Sequence, residues 1–355
     1  TADGSGDFVL DVISGGQSQA DAGRPRISAA NSVVKTGSGT LVFVAANTYQ
    51  GPTAVNGGEL QIGDGGTAGS LSNASPVSVA SGAKLAFNRS DAHTYGGTIS
   101  GSGSLTHRGV GRLTLSATNN YTGDTVISKG TLALASGGSF AQSSRVIVGD
   151  ASSSGAVLDL TEQGAFQIGA SQMLTGKGTV VLDASTNLTI RGLFSPGNSP
   201  GLFTYDANNA GGTVTLSGTT LMELWGTTRG LDSGYDAVNV TNGVVLTLGG
   251  LLRLDFDQSF TVGTSFTLLG ASLVGGFSSI SITGTNSDYT GLAFTHDGSV
   301  WTTGYTVNDQ GLRLTQTPSS VFLEVITIAV PEPSTLVLAG IGLAAVGIAL
   351  RKRRR

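Results

Sequence analysis

Cysteine is absent from the 355 residues, which excludes disulfides and any thiolate metal site. Charge is scarce as well: Asp, Glu, Lys and Arg make up 12% of the chain and aromatic residues 6%, far from the Ala/Glu/Lys-rich composition of helical proteins. Setting aside the five basic residues that end the chain, together with Glu332, leaves 14 Lys and Arg against 22 Asp and Glu, a balance of −8. No basic patch remains for nucleic acid, so no nucleic-acid partner is expected. The phosphate-cradling pattern GxxxxGK[ST] does not occur. His93, His107 and His296 are too scattered for a metal site and read as surface or turn residues, so neither metal nor cofactor is expected. No charged-then-apolar leader follows Thr1, which predicts a mature form or fragment whose secretory signal has been removed.

What the chain has is glycine, 55 of them, among many Ser and Thr interleaved with apolar residues. Strands and tight turns follow from that mixture. Residues 37–63, GSGTLVFVAANTYQGPTAVNGGELQIG, align without a gap on residues 109–135, GVGRLTLSATNNYTGDTVISKGTLALA. Leu41/Leu113, Asn47/Asn119, Tyr49/Tyr121, Gly51/Gly123, Thr53/Thr125, Gly58/Gly130 and Leu60/Leu132 are among the identities. Each copy alternates apolar with polar or small residues in three short runs separated by glycines and an asparagine, the pattern of strands joined at sharp corners. With a coil of ~24 residues the offset of 72 corresponds to three coils, and stacking at ~4.8 Å per rung predicts that the identical leucines and asparagines lie above one another in ladders. An antiparallel sandwich or barrel permits the same alternation. This unit resembles the autotransporter-associated β-strand repeat, with Tyr95–Leu105 similar to its connecting stretch and Ser195–Gly201, SPGNSPG, similar to a motif near the ends of such arrays. The resemblance implies a right-handed parallel β-helix over residues 1–205 in an all-β fold, with Leu41, Phe43, Leu60, Leu113, Leu115 and Leu132 inside.

Beyond residue 205 the repeat fades while strand alternation persists, as at Leu252, Leu254 and Phe256. Residues 206–329 are expected to be a less regular β region that caps the solenoid, with Thr317–Ser320 as an exposed linker and Val321–Val330 apolar enough for a last strand.

The chain ends in a three-part segment, 330–355. Val330, Pro331, Glu332, Pro333 and Ser334 are followed by an uncharged stretch, 335–350, and by Arg351, Lys352, Arg353, Arg354 and Arg355. The stretch can enter hydrocarbon as a single transmembrane helix without desolvating a charge. Its sixteen residues reach about 24 Å, short of a ~30 Å hydrocarbon core, so the basic residues must snorkel to the headgroups. They also orient it, with the C-terminus cytoplasmic and the body outside. Pro331 and Pro333 keep the preceding motif extended and open to an enzyme. The order of motif, span and basic cluster resembles the PEP-CTERM sorting signal of exported Gram-negative proteins. That resemblance implies recognition and cutting by an exosortase, a membrane transpeptidase-like enzyme, after a transient inner-membrane stay. No LPxTG motif is present, which argues against a Gram-positive wall protein.

Catalytic chemistry is barely legible. Asp255 and Asp257, two apart on a predicted strand, form the one candidate carboxylate pair, since they would project from one face. The reading expected for them is a solvated strand face beside Arg253. The expectation is therefore an exported, non-enzymatic surface or matrix protein, structural or adhesive, with extracellular polysaccharide as a possible partner in a biofilm. The alternatives are a β-helix polysaccharide lyase or glycosidase, and an autotransporter passenger. The last needs a C-terminal barrel where this chain has an apolar segment instead.

Overall fold

Of this chain the computed structural model describes residues 8–11, 16–18, 27 and 32–328, apart from 151, 152, 154, 198, 199, 209, 210 and 305–308. Strands, turns and bends make up the described residues, and none of them lies in a helix long and apolar enough to cross a membrane. The expected span 335–350, the sorting motif Val330–Ser334 and the basic residues Arg351–Arg355 lie outside the described residues.

The chain coils into a three-sided parallel β-helix. Side I carries two 5-stranded sheets, the first from Phe8–Asp11 to Ile99–Gly101, the second from Ala165–Ile168 to Ser272–Gly275. Side II is a single 12-stranded ladder from Gly16–Ser18 to Ser279–Gly284. Side III begins at His93–Tyr95 and runs in parallel to Ser265–Gly270. Alternation drives the packing: in strand Thr40–Phe43 Leu41 and Phe43 are buried while Thr40 and Val42 are half-exposed, and Arg112–Leu115 repeats this with Leu113 and Leu115. One coil could not bury such residues alone, so stability comes from stacking coils into one apolar column. All six leucine and phenylalanine positions expected inside are buried.

The stacking of the two repeats differs from the expectation. Leu41, Leu60, Leu85 and Leu105 are successive register partners on side II. Leu113, the counterpart of Leu41, lies round the next corner on side III, paired with His93 and Leu132. Three coils thus end at Leu105, short of Leu113, and the stretch between the two carries the chain one side further. The second repeat is therefore turned by one side about the solenoid axis. Leucine ladders form within each repeat, Leu41 on Leu60 and Leu113 on Leu132, rather than between the two copies. The reason is coil length: the coils from Leu41 to Leu60 and from Leu85 to Leu105 are both shorter than an even division of the repeat offset, and the coil from Leu60 to Leu85 does not make up the difference.

That rotation explains where the sheets break. The Asn-x-Tyr-x-Gly turn of each repeat is held by an isolated bridge in place of a strand pair, Ala46 with Ser70 in the first and Thr118 with Ser139 in the second. In the first copy the turn occupies side III, whose ladder starts only afterwards. In the second it occupies side I, between the two sheets.

Each turn is built by the repeated residues. Asn47 and Asn119 are buried, and each side chain clamps three coils. Asn119 Oδ1 accepts from the Ile99 amide at 2.8 Å, and its Nδ2 donates to the carbonyls of Ala117 and Ser139. Asn47 does the same with Ile27, Ala45 and Ser70. The buried Tyr121 hydroxyl lies 2.5 Å from Thr125 Oγ1, which donates to Ser143 Oγ, which in turn donates to the Gly123 carbonyl. Tyr49, Thr53, Ser75 and Gly51 repeat this chain. Gly130, at φ 62°, has no room for a side chain, since a Cβ there would sit 2.4 Å from the Gly109 carbonyl oxygen. Lys35 and His107, at equivalent positions, are both buried and reach the glycine corner that follows: Lys35 Nζ bonds the carbonyls of Thr36, Gly37 and Gly57, and His107 Nε2 lies 3.1 Å from the Gly111 carbonyl.

The parallel ladders do not stop near residue 205 but continue to Ser279–Gly284 on side II. Their coils lengthen there: the step from Thr219 to Leu251 is more than half as long again as that from Leu174 to Phe194, so the sequence periodicity disappears while the register persists. Among the described strands, antiparallel pairing enters with Ser320–Thr327, which adds to Ser265–Gly270 and is followed outward by Gln310–Thr317, Val300–Thr303 and Phe294–Asp297. Residues 317–320, read from the sequence as a linker, make the turn of the Gln310–Thr317/Ser320–Thr327 hairpin.

Candidate functional site

The ionisable residues of the last coils gather where side II turns into side III. Strand Leu251–Phe256 points Leu252, Leu254 and Phe256 inward and leaves Arg253 and Asp255 outward. Asp257 lies one residue past the strand end, exposed, where it accepts a hydrogen bond from Thr285 Oγ1 at 3.0 Å. Parallel register gives Asp255 other neighbours: Glu223 on one side and Thr283 on the other. Burial raises the Glu223 pKa above the usual carboxylate range, and the charge of Asp255 pushes it the same way.

Sequence reasoning missed the most perturbed member, Asp236. It is buried, and both its oxygens are committed: Oδ1 accepts from the Gly201 amide at 2.7 Å and Oδ2 from the Glu223 amide at 2.9 Å. Burial outweighs those two bonds and lifts its pKa to about 8, with Glu223 adding to the rise and Lys177 opposing it. Asp236 thereby fastens the end of the SPGNSPG segment to strand Thr219–Leu224. The same segment is held at its start by the Gly176/Gly197 bridge and by Thr175 Oγ1, which donates to the Gly197 carbonyl at 2.9 Å. No signal within the SPGNSPG motif could have announced a partner so far along the chain.

Such an arrangement does little chemistry. A general acid or base must reach the atom it protonates, and Asp236 is buried with each oxygen hydrogen-bonded to a backbone amide. Lys177, the cation that acts on it, pairs with Asp232. Arg229 is taken by the carbonyls of Thr267 and Val238 and by Asn239 Oδ1. No group of three or more His, Asp or Glu side chains able to hold a metal ion occurs among the described residues. Further ion pairs strap coils together across the surface: Arg108 reaches Glu59 at 2.7 Å, and Arg112 reaches Asp159 at 2.5 Å. Such half-buried surface pairs contribute little individually.

The histidines occupy different environments from the turns and surfaces expected of them. His107 is buried with Nδ1 unpartnered, and His93 has a buried, unpartnered Nε2 and packs against Phe87 at 6.2 Å. Only His296 is exposed, stacked on Trp301 at 4.1 Å. Burial lowers the pKa of both inner histidines, helped at His93 by the nearby Arg89 charge and opposed by Asp91, and opposed at His107 by the backbone carbonyls of Gly111 and Phe87. The unfolded chain therefore takes up protons that the folded chain refuses as pH falls below the ordinary histidine pKa of about 6.5, and stability falls with it. Asp236 acts oppositely: between the ordinary aspartate value and about 8 the folded chain holds a proton that the unfolded one has lost, so stability falls as pH rises through that window. His107→Gln removes that residue's share of the first effect and leaves the contributions of His93 and Asp236. Thermal melting of the variant is expected to lose less than that of the wild type between pH 7 and pH 5, and equal losses would show that His107 titrates normally.

Comparison with known families places these features. The chain matches the Passenger-associated-transport-repeat over residues 33–62 and 105–134, and the PEP-CTERM protein-sorting motif over residues 329–355. It is also 51% identical over 71 residues to the Adhesin BmaC autotransporter of Brucella suis biovar 1. That match covers 20% of this chain and 2% of the adhesin.

Proposed function

We propose that this chain is an exported surface or extracellular-matrix protein whose solenoid does structural or adhesive work and which is not an enzyme. In this reading the segment 330–355 holds it in the inner membrane until an exosortase-like enzyme cuts near Pro331–Ser334. The observation that carries the reading is the PEP-CTERM match at 329–355, which begins just after the last of the described strands, Ser320–Thr327. The passenger repeats and the likeness to part of an adhesin support a surface role, and carbohydrate of the matrix is the partner that the hydroxyl-rich exterior fits. The carboxylates Asp255 and Asp257 are read as solvated surface.

Changing Pro331, Glu332 and Pro333 together to Ala is expected to leave full-length protein in the inner membrane. Deleting Arg351–Arg355 is expected to disturb orientation instead, since a charged residue costs roughly 2.5–3.5 kcal/mol at the bilayer centre and the deletion removes that resistance to passage. Immunoblots of membrane and medium fractions from the native host decide. Wild-type protein in the medium with an intact C-terminus, or unchanged processing of the triple variant, would contradict the reading.

A further inference from the structure

Charge is not spread evenly over the three sides. Side II turns Glu59, Lys84, Arg145 and Asp255 outward, and side III turns Arg112 and Asp159 outward. On side I, from strand Val33–Thr36 onward, no strand turns a charged residue outward. The first sheet shows only Val, Thr, Ala, Ser and Gly there. The second shows a column in register, Gln167, Thr189, Thr215, Thr247 and Val274, beside a parallel column that is also uncharged. The turns between the two sheets, 116–123 and 135–144, are uncharged too. Charged neighbours such as Glu162, Asp183 and Arg191 sit at the corners that frame the side.

We propose that side I is the surface through which two copies of this chain pack side by side, ladder against ladder. Each copy carries a balance of −8 before its tail, so copies repel one another, and a side free of charge offers an approach with neither like-charge contact nor ion desolvation. From strand Val33–Thr36 onward, the described strands of side I turn outward no aromatic ring for a sugar to stack on and no cation to hold an anion. What it has is a regular ~4.8 Å rung spacing, and a second copy of the same ladder matches that period along its whole length. Val274, 53% exposed, supplies apolar surface to bury. Roughly eleven rungs span ~50 Å, and a strip ~12 Å wide buries about 600 Å² per copy, at the lower edge of stable interfaces. A two-fold dimer of modest affinity follows.

This inference does not rest on the sorting or adhesive reading: a chain that is sorted and adheres as a monomer would refute it alone. The test is sedimentation velocity of the full-length chain in detergent. Wild type is expected to dimerise at roughly 10–100 µM. Thr215→Arg with Thr247→Arg, on side I, is expected to weaken that dimer about tenfold or more, whereas Thr114→Arg with Thr204→Arg, on side III, leaves it unchanged. Both pairs change outward, half-exposed positions, and melting curves verify the fold; Thr189→Lys serves if the first pair fails to fold. A wild-type monomer throughout that range, equal weakening by both pairs, or a dimer indifferent to side I, as association through the apolar tail would give, overturns the proposal.

Discussion

Replacing Asn119 by alanine is expected to destabilise the solenoid by roughly 3–5 kcal/mol, the sum of one stranded buried amide and two lost hydrogen bonds. The amide is that of Ile99, which donates to the Asn119 side chain; the Ala117 and Ser139 carbonyls lose one donor each but keep another, since Ala117 also accepts from Ser139 and Ser139 from Asn119's own amide. The residue is 2% exposed, so bulk solvent does not reach these groups in the folded chain. Its neighbour is the control: Asn120 is exposed, and Asn120→Ala should stay within about 0.5 kcal/mol of wild type. Denaturant unfolding of the two variants checks this, and similar midpoints for both would show that the clamp contributes little. Asn47→Ala should behave like Asn119→Ala, because its three contacts are the same in kind.

Leu113→Ala is expected to cost roughly 2–5 kcal/mol, the range for truncating a buried leucine. Leu113 is 2% exposed and sits between His93 and Leu132 on side III, so the vacated volume opens beside a histidine already buried at some cost. The loss should be felt first in the adjoining coils, because a solenoid coil contacts only its neighbours. Hydrogen exchange is the suitable readout, with protection falling most in Arg112–Leu115 and Thr131–Leu134; uniform loss across all coils, or none, would contradict the local picture.

Much of this architecture is legible in the sequence, for reasons visible in particular residues. Period-two alternation at Leu41/Phe43 and Leu113/Leu115 identifies strands because burial on one face leaves no other arrangement. The repeated Gly, Asn, Tyr and Thr mark corners because positive φ, a buried carboxamide and a hydroxyl chain each demand a particular side chain. The phase of the repeats is not legible. A short coil such as Leu41 to Leu60 and a longer one such as Leu60 to Leu85 carry the same strand pattern, so turning the second repeat by one side leaves no trace in the alignment. The continuation past residue 205 is hidden likewise, since long excursions such as that from Trp225 to Asp236 interrupt the spacing but not the ladder. Asp255 and Asp257 were visible as a pair along the chain, but the neighbour that matters, Glu223, comes from parallel register one coil earlier. Asp236 offered no pattern at all, because its role depends on two backbone amides brought to it by the fold.

The rotation of the second repeat relative to the first is the central claim, and disulfide trapping tests it in a chain that has no cysteine of its own. Lys84 and Ser104 are register partners on side II, and parallel neighbours lie ~4.8 Å apart, within disulfide range. Were the coils even, at about 24 residues each, so that the repeats stacked in phase, Lys84 would lie beside Arg108, about 13 Å further along the strand than Ser104 at ~3.3 Å per residue. The measurement is the intact mass, after mild oxidation and thiol alkylation, of Lys84→Cys paired either with Ser104→Cys or with Arg108→Cys. An intramolecular disulfide in the first pair and free thiols in the second are predicted; a disulfide in the second pair with free thiols in the first would contradict the account.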